Sequence, residues 1–530
     1  MPYKGIFATL EKISFPVTKE ELREMCISTA HKTEFDNYNF SSTVRNRSAA
    51  LTLVNGTDKT KLNDAQQRIL RELPETIEKV KTYITHIPVG KIEQIMGKND
   101  KYAPLCTLYM SLYNRFFARI PYVWMHTLYK TIESSAKSAH FKILNIPEWP
   151  ETERQILVFP EDGMSIILGS DYFGEVKKGF LRLAMYNAKK NDMLGLHAGI
   201  KTANVRVGNN VKKYVLVFFG NSGTGKTTHS CHNHYLHENG ESIGVVQDDV
   251  IFLDKNGSTL GTETGFYIKT EGLNLQTQPL LYKAALKSHA IFENVLVKRN
   301  SAVDFENDIL TGNGRSVIRR DDLELISDSI NTESLDKIDS MFIFFITRRH
   351  TILPIASKLT PEQGAAAFML GESIETSAGD PRKAGESIRI VGTNPFIIGD
   401  PVQEGNWFYD FLKANEEKVQ CYILNTGGVG EIIEKTEFSR KVIQPVLRAT
   451  IPDMSNTIRA ILKDIVVWVE DTDFGCKVPV SIPNVDLEKF RLDRFYSIEQ
   501  VHEFIQALKK ERLDYISKFR GLNPAIVGAV

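Results

Sequence analysis

Residues 217–230 read VFFGNSGTGKTTHS. Gly220, Gly225, Lys226 and Thr227 fit G-x-x-x-x-G-K-[ST], after an apolar strand and before a helix-forming segment, which is the context a phosphate-binding loop requires. Glycines let the backbone fold tightly enough to aim N–H groups at phosphate oxygens, and the helix N-terminus adds positive potential. Lys226 is expected to reach the outer phosphates and the Thr227 hydroxyl to ligate Mg²⁺. The nucleotide-contacting stretch is therefore Gly220, Ser222, Gly223, Thr224, Gly225, Lys226, Thr227 and Thr228. Its chemistry is the binding of a nucleoside triphosphate.

Downstream, SIGVVQDDV is an apolar strand ending in Asp248 and Asp249. Carboxylates at a strand end beside a phosphate loop are placed to hold a hydrated metal, whereas without the loop a turn-forming acidic pair is the simpler reading. Between loop and acids, SCHNHYLHENGES carries His229, Cys231, His232, His234 and His237. Zinc is a tempting assignment, but no second cluster stands at ligand spacing, and the segment reads as a solvated helix end. Upstream, GSDYFGEVKKGFLRLAMYN holds Tyr172, Lys177 and Lys178, and GLHAGIKTANV holds His197.

The elements that position these groups fall into two textures. Up to about Pro150 the chain reads as helical. NDAQQRILRELPETIEKVKTYITHI and LCTLYMSLYNRFFARIPYVWMHTLYKTI both carry apolar residues at three- and four-residue spacing, and the aromatic stripe of the second reads as core. From ERQILVFP onward come short β-branched runs divided by glycine and polar turns: YVLVFFG, SIGVVQDDVIFL, FENVLVKR and MFIFFIT. TPEQGAAAFMLGESI reads as a helix opened by a Thr cap, and SIEQVHEFIQALKKERLDYISKF as an amphipathic, domain-closing helix.

With 530 residues, the chain has room for two domains. Lys+Arg and Asp+Glu both number 65, so no global charge points to nucleic acid or an anionic membrane, and small-molecule chemistry is favoured. Five widely spaced cysteines give no disulfide framework and fit a reducing cytoplasm. The N-terminal segment lacks the apolar stretch of a secretory signal, and the longest apolar runs are too short to span a bilayer.

Taken together, YFGEVKKG, LHAG, GNSGTGKTT and VVQDD resemble, in order and spacing, the motifs of the ATP-dependent phosphoenolpyruvate carboxykinases. The resemblance runs from about Ile143 to Asp486, through TETGFYIKT, AIFENVLV, VDFENDILTGNGRSVI, ILPIASKLTPEQGAAAFMLG, YILNTGGVG and VPVSIPNVD. It implies a two-lobed α/β fold with a phosphate-loop C-terminal domain and the active site in the interdomain cleft. The corresponding domains are 1–195 on the substrate side and 196–530 on the nucleotide and metal side. By the same resemblance, Lys178, His197 and Asp249 ligate Mn²⁺, with the lysine bound as its neutral amine, and Thr227 holds the Mg²⁺ of ATP with Asp248 beside it. Lys226, Lys269 and Glu293 contact the nucleotide. Arg315 bridges substrate and the transferring phosphoryl group, and Tyr172 lines the substrate pocket. The implied reaction converts oxaloacetate to phosphoenolpyruvate, CO₂ and ADP.

The sequence departs from the family at four places. The acid strand continues DDVIFLD, where the family has DDEHGW. The substrate-carboxylate arginine is open between Arg47 and Arg45 in STVRNRSAAL. After NTG there is no Trp, and no arginine before Arg440. ITRRHTILP places Arg348 and Arg349 where the family has small and acidic residues, open between extra cations for an anionic ligand and an exposed loop. These changes concern recognition rather than the phosphate machinery, so ATP, GTP and pyrophosphate all stand as donors. A small-molecule or protein kinase on the same scaffold remains the alternative function.

Overall fold

A computed structural model of the protein describes residues 2–131, 139–221, 223–307, 313–374, 386–435 and 440–530. The chain is mixed α/β and forms two compact units. The first takes residues 1–195, 260–324 and 396–399, and the second takes 196–259, 325–395 and 400–530. The chain first changes unit between Gly195 and Leu196, then returns to the first unit for two excursions.

In the first unit an eight-stranded sheet runs in the order Phe15–Pro16, Val89–Ile95, Leu105–Ser111, His140–Ile146, Met164–Leu168, Gln155–Phe159 and Thr52–Val54, with Tyr129–Lys130 added beside Val89–Ile95. Helices Pro2–Ile13 and Asp64–Tyr83 cover one face. Ile69, Ile77 and Val80 recur at helical spacing and pack with Ile6, Phe7 and Leu10 against Leu144, Ile146 and Leu157. Asn63 starts the longer helix by exchanging hydrogen bonds with Gln66 in a capping box. Ile143 points the other way and meets helix Phe173–Lys190, where a Cβ on Gly179 would come within 2.8 Å of its Cδ1.

The expectation of a helical chain up to about Pro150 fails here, since strands Thr52–Val54, Val89–Ile95, Leu105–Ser111 and His140–Ile146 lie in it. The stretch from Leu105 to Thr131 is not a long helix: it holds strand Leu105–Ser111, a 3₁₀ turn at Arg115–Ala118, helix Arg119–Trp124 and strand Tyr129–Lys130. All seven residues of Leu105–Ser111 are buried. A strand buried on both faces loses its two-residue alternation, and a short apolar run then fits the helical template equally well. The aromatics are core, as expected: Tyr109, Tyr122 and Trp124 are buried, and Trp124 stacks on Phe180 at 4.9 Å.

A five-stranded sheet in the same unit runs Gly265–Lys269, Arg315–Arg319, Ile291–Glu293, Tyr38–Phe40 and His31–Lys32. Its register sets Lys269 and Glu293 directly opposite Arg315, on either side of it.

The second unit is built on a ten-stranded sheet whose middle is parallel. Asn210–Gly220, Ser340–Thr347 and Val419–Asn425 lie side by side, pairing Gly220 with Ile346 and Thr347 with Asn425. Phe218 stacks on Phe344 and Phe219 on Phe345, so both faces of these strands are apolar. The chain therefore leaves three neighbouring strand ends together, at residues 221–226, 348–350 and 426–430, where α/β sheets place their ligands. Helix Pro361–Leu370 is capped by Thr360 with Gln363, and helix Ile498–Ile516 by Ser497 with Gln500. The latter buries Ile505 and Leu508 against Ile352, Leu353 and Tyr496, closing this unit.

Arg349 belongs to this framework. Glu372, 8% exposed, receives Arg389 at 2.9 Å, Arg512 at 2.9 Å and Arg349 at 3.4 Å, and Glu511 joins Arg349 at 3.1 Å. Burial pushes the Glu372 carboxyl up, but Arg512, Arg349 and Arg389 outweigh it and hold the group well below the usual carboxylate range. Its contribution to stability is complete above the unfolded carboxylate value of about 4.3 and is lost as pH falls through the lower folded value. Glu372→Leu leaves buried Arg512 without its carboxylate and Arg349 and Arg389 with Glu511 alone, so thermal or urea unfolding should show a loss of about 3–5 kcal/mol at neutral pH. An unchanged midpoint would remove the network from the account of this unit.

All five cysteines are buried and unpaired. Among the described residues, no helix is long and apolar enough to cross a membrane.

Candidate active site

The loop after Gly220 is shaped by contacts that only its own residues allow. A Cβ on Gly220 would lie 2.5 Å from the Thr224 hydroxyl, which donates to the Asn221 carbonyl at 2.8 Å. Gly223 and Gly225 have φ of 80° and 105°, a region open to glycine, and helix Lys226–Ser230 starts at once. Lys226 Nζ donates to the Asp248 carbonyl at 2.6 Å, and Thr426 Oγ1 donates to the Thr224 carbonyl at 2.8 Å. Thr228 lies half-buried in the helix, and Ser222 falls outside the described residues.

The acids follow at the end of strand Ser242–Gln247, which is separated from the loop's strand by Leu194–Val207. Asp248 accepts the Thr227 hydroxyl on one oxygen and the Ser230 hydroxyl on the other, both at 2.7 Å. Gly199 makes room for this, since a Cβ there would come within 2.6 Å of Ser230. Asp249 Oδ1 lies 3.2 Å from His197 Nε2, while His197 Nδ1 lies 2.7 Å from the Thr393 carbonyl oxygen. A carbonyl accepts only, so Nδ1 carries a proton and donates, and Nε2 faces the carboxylate. The second unit thus brings together Lys226, Thr227, Asp248, Asp249 and His197.

The first unit gathers the remaining residues in two groups. In YFGEVKKG the two lysines have different lives. Lys177 is wholly buried and ion-paired with Glu263 at 2.8 Å, whereas Lys178 is half-buried and lies 5.1 Å from the Phe396 ring centre. Arg47 stacks on the same ring at 4.5 Å, while Arg45 is exposed, so geometry selects Arg47 as the arginine that accompanies Lys178. The loop bearing Arg47 is held through its backbone: Asp171 accepts the N–H groups of Thr43 and Val44, and Glu175 accepts that of Ser48. Burial, then Arg47, lowers Arg182 to about 10. Tyr172 is buried at the start of the same helix.

Arg315 heads the second group and lies 5.4 Å over the Tyr267 ring, with Lys269 across the strand pair. Lys269 pairs with Glu271. Glu293, expected to touch nucleotide, is turned inward: it accepts Arg119 at 3.3 Å and the Tyr267 hydroxyl at 2.7 Å. Burial raises its carboxyl, with Arg119 and Tyr267 working against the shift.

A sequence profile of the family described as phosphoenolpyruvate carboxykinase matches residues 12–488. The chain belongs to the phosphoenolpyruvate carboxykinase family. Among its relatives is a protein of Aeropyrum pernix named "Phosphoenolpyruvate carboxykinase (ATP)", 32% identical over 377 residues that cover 70% of this chain and 70% of the relative. A Staphylococcus aureus (strain bovine RF122 / ET3-1) protein of the same name is 26% identical over 426 residues, covering 74% and 72%.

Within this carboxykinase chain, the residues suit the groups the family implies. A protonated Nδ1 leaves the His197 Nε2 lone pair 3.2 Å from a carboxylate oxygen, and the two repel unless a proton or a cation lies between them. That is a donor pair suited to a divalent metal. The side of the carboxykinase site that departs most from the family pattern is closed by glycine. A Cβ on Gly427 would lie 2.1 Å from the Arg349 carbonyl oxygen, and one on Gly428 1.9 Å from that of Leu447, so no tryptophan fits. Arg448 follows Leu447 here, and spacing hid it: hairpin Ile432–Lys435/Arg440–Gln444 separates it from NTGG. Arg348 is lowered by burial and by Arg448, and neither arginine has an acid partner among the described residues.

The histidine segment is the other surprise. His229, Cys231 and His234 are buried, not solvated, and Lys201 is buried among them. Four titratable side chains lie in one core because His234 and Tyr235 take φ of 50° and 55°, turning the chain back under the loop. Among the described residues no three His, Cys, Asp or Glu side chains converge as a metal cage.

Proposed function

We propose that the protein decarboxylates oxaloacetate and transfers the γ-phosphate of a nucleoside triphosphate to the resulting enolate, giving phosphoenolpyruvate. The observation that carries this reading is the joining of two half-sites in one unit: Lys226, Thr227 and Asp248 for the phosphates, and His197 with Asp249 for a substrate-side metal. A phosphotransferase acting on a simple hydroxyl has little use for the second of these.

In this reading Thr227, with Asp248 as its outer acceptor, would hold the Mg²⁺ of the nucleotide. His197 and Asp249 would hold Mn²⁺, with Lys178 added, as a neutral amine, on the family resemblance. When bound, the metals would supply Lewis-acid stabilisation of negative charge. Arg47 and Tyr172 orient the substrate carboxylate and exclude water around it. Arg315 offers a planar fork to substrate and phosphoryl oxygens, neutralising charge that grows in the transition state. Lys269 adds positive charge beside it. Glu293 acts indirectly, by fixing Tyr267 under Arg315. No protein nucleophile is required, because position and positive charge suffice for phosphoryl transfer to an enolate.

ATP is the proposed donor, following the named relatives. Arg348 and Arg448, without an acid partner among the described residues, provide positive charge suited to the donor's phosphates rather than to its base. Arg348→Met should therefore raise KM for the nucleotide about tenfold with little change in kcat, as loss of one charge-assisted hydrogen bond does. The reading is tested by supplying ATP, GTP and pyrophosphate side by side with oxaloacetate, Mg²⁺ and Mn²⁺, and measuring phosphoenolpyruvate. ATP should support formation. Failure of all three donors, with nucleotide consumed in the presence of hydroxyl acceptors, favours the kinase alternative.

A further inference from the structure

We infer that Lys201 is a positioning residue for the phosphate loop: through His234 and His229 it forms a one-way chain of hydrogen-bond donors that aims a ring N–H at the loop's underside. The inference rests on the loop's binding nucleotide, as proposed above, but on nothing about the phosphoryl acceptor.

Lys201 is wholly buried on strand Leu194–Val207. Its Nζ lies 2.7 Å from each of three acceptors: the carbonyls of His229 and His232, and His234 Nδ1. The Phe218 ring centre lies 5.0 Å away. His234 Nε2 is 3.4 Å from His229 Nδ1, and the two rings are stacked. The His229 ring then sits below the loop, its Nε2 3.9 Å and Cδ2 3.6 Å from where a Cβ on Gly225 would be. Among the described residues no carboxylate is paired with Lys201 or these two rings, and Asp248 is occupied by the hydroxyls of Thr227 and Ser230.

The direction follows from Lys201 as an ammonium, whose three protons meet two carbonyl oxygens and His234 Nδ1, each at 2.7 Å. Burial pushes Lys201 well below the usual lysine value, and the two carbonyls and the Phe218 face oppose that shift. His234 Nδ1 must then accept, so its proton is on Nε2, which donates to His229 Nδ1. The His229 proton is in turn on Nε2, beside Gly225. With one proton on each ring, each passes on that proton's polarity to the next. The same ammonium holds the carbonyls at the C-terminal end of helix Lys226–Ser230, where a cation complements the peptide dipoles. Asp248 grips that helix through its hydroxyls and Lys201 through its carbonyls, so the loop is set in place before a phosphate arrives.

Nitrogen-15 NMR of the intact protein labelled at histidine reads the chain directly and needs no substitution. His234 and His229 should both show the Nε2–H tautomer, and the His229 signal should shift on titration with Mg-ATP. An Nδ1–H tautomer at either ring reverses the chain and overturns the inference. The functional arm compares His229→Leu with His229→Gln, whose amide restores a donor. The leucine variant should raise KM for the nucleotide about fivefold with kcat within about twofold, and glutamine should recover most of that loss. Equal damage by both would leave His229 with a packing role and contradict the chain. If the unaltered protein binds no nucleotide, it is the function of the loop that fails, while the tautomers still test the geometry.

Discussion

Lys178→Met is expected to lower phosphoenolpyruvate formation by at least about two orders of magnitude, while Mg-nucleotide affinity, measured by calorimetry, stays within about twofold. The expectation follows from the division of labour in YFGEVKKG. Lys177 is ion-paired with Glu263 inside the first unit, so its loss should appear as instability. Lys178 lies half-buried over Phe396 beside Arg47, in the group proposed to serve the substrate. Methionine keeps the length and the apolar stem, so the ring contact survives while the nitrogen is lost. The proposed role requires that nitrogen as a neutral ligand, and divalent metal must displace its proton. Activity of the unaltered protein should therefore fall with decreasing pH as protons compete for Lys178 and His197. Equal loss of turnover and nucleotide binding would mean that Lys178 serves the loop instead.

Arg315→Met should reduce kcat by about three orders of magnitude, with a smaller change in KM for either substrate. Arg315 starts strand Arg315–Arg319, flanked by Lys269 and Glu293 in register and backed by the Tyr267 ring at 5.4 Å. Tyr267 is in turn tied to Glu293, and Glu293 to Arg119, so the guanidinium rests on a buried, hydrogen-bonded floor. A charge held in that way is set to act on developing negative charge with little reorganisation. Arg315→Lys should recover only part of the rate, because a point charge cannot match a planar fork to two oxygens. A KM effect with unchanged kcat would place Arg315 in ground-state binding only.

The phosphate loop and its acids form a pattern legible in sequence because their chemistry depends on residue type at short spacing: glycine for φ near 105°, threonine beside lysine, paired carboxylates at a strand end. His197 carries no such local signal and enters only through the family resemblance. Helix Asp64–Tyr83, the cap at Thr360 and helix Ile498–Ile516 were legible for a similar reason, since local periodicity and local hydrogen bonds decide them. Strand Leu105–Ser111 was misread because burial on both faces erases the pattern that distinguishes strand from helix. Arg448 escaped notice because a hairpin displaces it from the NTGG segment it packs against. Arg349, open in the sequence between a ligand cation and an exposed loop, is neither, because Glu372 and Glu511, distant in sequence, pair with it. Lys201 and the buried histidines were invisible for the same reason, as nothing in the segment's polarity signals that a turn at His234 folds it inward. Nor does linear order show that residues 260–324, with Arg315 and Lys269, pack with the first unit.

The account's central claim is that this site couples loss of CO₂ to phosphoryl transfer. The most direct measurement is the stoichiometry of a single incubation of purified protein with oxaloacetate, ATP, Mg²⁺ and Mn²⁺, quantifying CO₂, phosphoenolpyruvate and ADP together. The account predicts equal amounts of all three. ADP formed without CO₂, or CO₂ released with pyruvate in place of phosphoenolpyruvate, would contradict it.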